Sequence, residues 1–292
     1  MRDDHGLRKI AHVRADLGES PVWDAHKGLL YFVDISGGKI NVLRPQGQVK
    51  TVHQSAARIG ALGLTDKGNL IFTEDASVAV FDVKTSKVCR HTAAVHEGAS
   101  YRFNDGACDP LGRFVTGLMD EGPNRKAGAL YRYDSALNAQ VIHRGVTLPN
   151  GLAWSEDRRT LFFVDSMARS IFLAAYPADG VLGAVTLFAE TPADLGRPDG
   201  IALDRDGGLW VCQFNGGCLL HYDRNGRLSG RVAMPVPRPT SCCFGGDDLD
   251  TLFITTARFA MTPAELGVYP DAGDLYAIRP EVAGIPRHLF KE

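Results

Sequence analysis

The sequence predicts an all-β fold, a six-bladed β-propeller, and three observations carry that prediction. Short runs rich in β-branched and aromatic residues recur about 40–48 residues apart, the spacing of propeller blades. Each run is flanked by two more of the same kind, set off by Gly, Asp, Asn and Pro turns. The 10–15-residue amphipathic spacers that a βαβ chain needs are missing between them.

The central runs read "LLYFVD", "NLIFTED", "RFVTGL", "TLFFVD", "GLWVCQ" and "TLFITT". Before them stand "SPVWD", "LGLTD", "DGACD", "GLAWS", "GIALD" and "CCFGG". After them come "GKINVLRP", "SVAVFDV", "GALYRYD", "RSIFLAAY", "GCLLHYD" and "GDLYAIR". Turns such as "TDKGN", "DPLGR" and "DRDGG" separate the first run of a unit from the second. One helical turn is expected at "TPAEL", with Thr262 as N-cap, Pro263 at the first position and Glu265 completing a capping box. The early segment "LRKIAHVRA" reads as an edge strand that completes the last blade and closes the ring. No linker divides the chain, so residues 1–292 are expected to form a single propeller domain.

Composition excludes several functions. A formal charge of −2 argues against a broad nucleic-acid or anionic-membrane surface. No run is long enough to span a bilayer as a helix, and the polar start lacks a signal-peptide core. The expected location is the cytoplasm. Without a secretory signal or a Cys-x-x-Cys spacing, the six cysteines read as reduced thiols, with one of Cys242 and Cys243 facing the core.

The repeats differ most at one place. Aligned near the start of each innermost strand, the six units give Glu19, Ala61, Asn104, Asn150, Asp199 and Ser241. Innermost strands surround the central channel, so these positions form a ring at its mouth. Carboxylate and amide oxygens converging there repel one another unless a cation sits between them. Glu19, Asn150 and Asp199 are therefore expected to hold one divalent metal, with Asn104 at its edge. An all-oxygen set favours hard cations. Ca²⁺ is the first choice, with Zn²⁺, Mn²⁺, Mg²⁺ or Fe²⁺ as alternatives. The histidines show no metal-ligand spacing of their own.

Here the sequence resembles the family of senescence marker protein (regucalcin), gluconolactonase and luciferin-regenerating enzyme. The likeness is carried by "LGESPVWD", "RFNDGACDPLGRF", "LPNGLAWSEDRRTLFFVDS", "RPDGIALDRDGGLWV" and "TSCCFGGDDLDTLFITTAR". It runs from about Leu17 to "VAGIPRHLF" near the C-terminus, and is nearest in look to bacterial sugar lactonases. The resemblance implies an axial metal on the acid of "GESP", the amide of "PNG" and the acid of "PDG", which are again Glu19, Asn150 and Asp199. It further implies that Arg102 and Asn104 contact substrate, together with an acid of the next loop, either Asp120 or Glu121.

The implied activity is hydrolysis of a sugar lactone, an aldonolactone such as glucono-, galactono-, arabinono- or xylonolactone, to the aldonic acid. The metal would polarise the carbonyl, and Asp199 would serve as general base toward water. Rival readings are a phosphotriesterase or aryl esterase, and a calcium-binding regulator without turnover. The expected partner is a small-molecule lactone, with no nucleic acid or membrane, and the protein is expected to be a monomer or weak homo-oligomer. No nucleophile elbow and no phosphate-binding glycine loop competes.

Overall fold

The computed structural model describes residues 5–97, 100–122 and 128–292. The first four residues of the polar start lie outside these. Strand β1 (Arg8–Ala11) is left for the last blade to use. Blade 1 holds β2 (Gly18–Asp24), β3 (Leu29–Asp34), β4 (Lys39–Leu43) and β5 (Val49–Gln54), and blade 2 holds β6 (Leu62–Leu64), β7 (Leu70–Glu74), β8 (Ser77–Asp82) and β9 (Lys87–His91). Blade 3 follows with β10 (Tyr101–Cys108), β11 (Phe114–Asp120), β12 (Gly128–Tyr133) and β13 (Ala139–Val146). Blade 4 is β14 (Pro149–Trp154), β15 (Thr160–Asp165), β16 (Ser170–Ala175) and β17 (Val185–Glu190). Blade 5 is β18 (Arg197–Leu203), β19 (Leu209–Phe214), β20 (Cys218–Tyr222) and β21 (Leu228–Ala233). Blade 6 takes β22 (Pro239–Gly245), β23 (Thr251–Thr256) and β24 (Leu275–Ile278), and β1 adds antiparallel to β24 as its fourth strand.

All six sheets are antiparallel meanders, and each first strand lies against those of the flanking blades until β2 meets β22. This is the six-bladed propeller. Every blade is wedged between two others, so its inner strands are apolar on both faces. Six clusters of buried side chains result, one per interface between neighbouring blades. That arrangement corrects the expectation for the paired cysteines. Cys242 packs toward blade 5 and Cys243 toward blade 1, and both are fully buried. All six thiols are free.

The capping box is present: Glu265 N–H donates to Thr262 Oγ1 at 3.2 Å, and Thr262 N–H donates back to Glu265 Oε2 at 2.7 Å. It starts the short helix α1 (Pro263–Val268), inserted between β23 and β24. Among the described residues no helix is long and apolar enough to cross a membrane.

After β24 the chain crosses one end of the channel. Arg205 N–H donates to Ala283 O, and Gly284 N–H to Leu249 O, on the side of blades 5 and 6. Phe290 N–H donates to Leu64 O and Lys291 N–H to Gly112 O, on the side of blades 2 and 3. Between them Arg287 Nη2 donates to Cys242 O at 2.9 Å, and Phe290 is fully buried. A void of only about 40 Å³ remains beneath this strap.

Candidate active site at the channel mouth

The pairing register places four of the expected residues at one level. Glu19 stands opposite Val33 and Asn150 opposite Val164, the matching residues of blades 1 and 4. Asp199 lies in a bulge between the Pro198–Gln213 and Ile201–Val211 pairs, and Asn104 in the same bulge between Phe103–Leu118 and Gly106–Thr116. For the other two blades the level falls at Gly60 and Thr240, one residue before the Ala61 and Ser241 read from sequence. Neither blade carries a polar–glycine pair to fix the alignment.

That pair has a steric cause. A Cβ on Gly151, whose φ is +35°, would lie 2.7 Å from Asp199 O, and one on Gly200 would lie 2.1 Å from Ser241 Oγ. Neighbouring inner strands therefore touch immediately after Asn150 and Asp199, where only glycine fits. The bulge turns the preceding side chain toward the axis.

A directed chain of hydrogen bonds orients the amides. Arg102 Nη1 donates to Asn104 Oδ1 at 2.7 Å, and Asn104 Nδ2 donates to Asn150 Oδ1 at 2.8 Å. Asn150 Nδ2 donates to Ser166 Oγ at 2.9 Å, and Ser166 Oγ donates to Pro198 O at 2.6 Å, next to Asp199. With both Nδ2 groups committed as donors, Asn150 Oδ1 is held on the mouth side with acceptor capacity remaining.

The acids are in the opposite condition. Glu19, Asp105 and Asp199 are all buried. Burial first, then Asp199 and Asp105, raises Glu19 well above its ordinary range. Burial and then Asp105 raise Asp199 likewise. Asp199 Oδ1 is buried and has no hydrogen-bond partner among the described residues. Such a group is expensive unless something positive meets it. Two carboxylates and one aimed carbonyl oxygen are the donor set of a hard divalent cation, so the residues fit the expected metal.

These groups line a cavity of about 290 Å³ with Arg102, Asn104, Glu121, Ser166, Arg197 and an apolar rim that includes Ile35, Leu148, Phe214 and Phe259. Of the two loop acids, Glu121 reaches it, 3.4 Å from Arg102 Nε and also bonded to Arg58. Asp120 does not line it. Met119 and Glu121 share one side of the strand direction and Asp120 takes the other, buried. Asp105, Ser166 and Arg197 were not legible as site residues. Ser166 occupies a place filled by Ile35 in blade 1, so repeat position offered no polar signal.

A second group with metal-ligand chemistry, His12 with Asp271 and Asp274, lies away on blade 6. Lys9 Nζ already stands 2.7 Å from Asp271 and 3.6 Å from Asp274, and two backbone amides donate to Asp274. Its acids are therefore already engaged by groups of the protein.

The model of the SMP-30/gluconolactonase/LRE-like region matches residues 17–258. The chain belongs to this family. A 6-deoxy-6-sulfogluconolactonase from Pseudomonas putida is 35% identical, over 97% of this chain and 98% of its own. An L-arabinolactonase from Azospirillum brasilense is 33% identical, over 96% and 94%. Among solved structures, a calcium-binding protein, regucalcin, from Agrobacterium tumefaciens superimposes with a TM-score of 0.92 at 23% identity, covering 98% of this chain and 97% of its own. That likeness supports the fold.

Proposed function

We propose that this protein is a metal-dependent lactonase that opens a sugar lactone of pentose or hexose size to its aldonic acid. Lactone hydrolysis as the reaction class is supported by the family and by the two lactonases above. The observation that carries the metal is the partnerless, buried Oδ1 of Asp199 beside the raised carboxyl of Glu19. Glu19, Asn150 Oδ1 and Asp199 would hold the ion. When bound, a divalent cation supplies Lewis-acid polarisation of the lactone carbonyl and makes water more acidic.

The chain's own groups do the rest. Asp199 takes the proton of the attacking water as its oxygen bonds to the carbonyl carbon. The carbonyl-carbon bond to the ring oxygen then breaks, and the proton passes to that oxygen as a hydroxyl. Arg102 lines the cavity and is held by Asn104 and Glu121 through Nη1 and Nε, which leaves Nη2 to donate to substrate oxygens. Asn104 acts through Asn150. The cavity lies near the small end of ligand sites, a size suited to a monosaccharide.

The apolar rim favours a second reading, an aryl or alkyl ester hydrolase at the same site. One experiment separates them. After chelation, the protein is assayed for acid release from a panel of aldonolactones and from phenyl acetate, with Ca²⁺, Zn²⁺, Mn²⁺ or Mg²⁺ restored in turn. Metal-dependent opening of at least one aldonolactone is expected. Phenyl acetate cleavage with every lactone untouched would overturn the lactonase reading, and full activity in chelator would overturn the metal.

A further inference from the structure

Two guanidinium groups at the mouth take no part in the chemistry above. Arg197 lines the cavity at the first residue of β18, half-buried. Its Nη1 lies 3.2 Å from Met167 Sδ, and its guanidinium 5.9 Å from the centre of the Phe214 ring. Arg238, just before β22, is buried and stands 5.5 Å from the same ring. Its Nε donates to Asn215 Oδ1 at 2.6 Å and its Nη1 to the Phe259 carbonyl. Among the described residues neither has a carboxylate within 4 Å. Arg102 and Arg58, by contrast, both engage Glu121, and Arg113 engages Asp109 at 2.6 Å.

Arg197 feels the Asp199 carboxylate at a distance, but with no acid in direct contact its guanidinium N–H groups are not committed to a carboxylate and can meet an incoming anion. The Phe214 ring that both guanidiniums approach helps to hold them and offers only part of what a carboxylate would. Blades 5 and 6, which carry them, face blade 3 with Arg102 and Glu121 across the mouth, and the axial acids lie between. A lactone whose carbonyl sits over the axis can direct its remote end to the Arg197 wall of the same cavity.

We infer that Arg197, which shares the Phe214 ring with Arg238, receives an anionic group at the substrate end remote from the lactone carbonyl, so that the preferred substrate is an aldonolactone bearing a terminal carboxylate, sulfonate or phosphate. This rests on the lactonase reading and narrows it to charged lactones. The planar fork of arginine suits all three oxyanions.

The test uses pairs matched in ring size. D-Glucaro-1,4-lactone is compared with D-glucono-1,4-lactone, and 6-phospho-D-glucono-1,5-lactone with D-glucono-1,5-lactone, in the metal-loaded protein. The charged member should have the higher kcat/KM by about 10- to 100-fold, the range of one charge-assisted hydrogen bond. The larger of the two ratios shows whether carboxylate or phosphate is the better fit. Arg197→Gln should bring both ratios to about one, and Arg197→Lys should retain part of them. Ratios near one in the unaltered protein, or ratios unmoved by Arg197→Gln, would overturn the inference while leaving lactone hydrolysis standing. If no lactone is opened, the lactonase reading fails, and calorimetry with 6-phosphogluconate and gluconate decides the anion site alone. Tighter binding of the phosphate that disappears in Arg197→Gln would support it; equal binding would sink it.

Discussion

The two ends of the channel are built from the same six strands and could hardly differ more. At their first residues these strands present Glu19, Asn104, Asn150 and Asp199 around an open cavity. A few residues further on they present Ala107, Leu152, Ile201 and Phe244, covered by the C-terminal strap. One end concentrates buried charge, with Asp199 Oδ1 lacking a hydrogen-bond partner among the described residues. The other concentrates apolar contact and satisfied backbone. The difference teaches that chemistry here occupies a single level of the barrel of inner strands, while cohesion is supplied elsewhere, so the two should respond to mutation separately.

The largest expected effect is at the mouth. Asp199→Asn keeps size and an oxygen but removes proton-accepting capacity, so kcat should fall by about 10²–10⁴-fold with the fold intact. The rate must be compared at saturating metal with occupancy determined by elemental analysis; near-normal kcat at full occupancy would remove Asp199 from the base role. At the strap, Phe290→Ala should cost about 3–5 kcal/mol of stability while kcat/KM well below the melting temperature is retained. Denaturant titration with parallel kinetics checks this, and a loss of activity without a loss of stability would show that the ends are coupled.

Smaller effects sharpen the picture at the mouth. Ser166→Ala leaves the Asn150 amide without the acceptor that aims it, so divalent-metal affinity measured by calorimetry should weaken by about 10- to 100-fold, as expected for outer partners of a ligand. Glu19→Gln should weaken it further than Ser166→Ala does. Affinity unchanged in Ser166→Ala would mean that the hydrogen-bond chain does not set the amide.

The smallest effect is in pH. Glu19 and Asp199 are raised in the folded state above 4.5 and 3.8, so the native protein holds more protons than the unfolded chain across the window above those values. The stability of metal-free protein should therefore fall as pH rises through that window. Saturating divalent cation should flatten the trend. Melting temperatures against pH, with chelator and with metal, test it; a chelated protein that gains stability on passing upward through the window would contradict the carboxyl assignments.

Much of this was legible in the sequence because the inner three strands of each blade are buried, and burial writes itself as apolar, β-branched runs. The outermost strands β5, β9, β13, β17 and β21 are largely exposed and carry no such signature, as "KVCRH" shows. The axial residues stood out because a sharp approach of neighbouring strands demands glycine after each polar side chain at Asn150 and Asp199. Ser166, Asp105 and Arg197 lacked that mark. The strap was equally hidden, since its hydrogen bonds go to backbone atoms of four different blades and impose no periodicity on its own residues.

The pairing of residues 8–11 with 275–278 has a consequence in time. Joining segments so distant along the chain carries a large loop-closure entropy, and contacts of that range form late. Glu19 and Asp199 can belong to well-formed blades before this closure, yet the mouth has no fixed diameter until β1 docks on β24. Activity is thus complete only when the sheet of β22, β23 and β24 is zipped by β1.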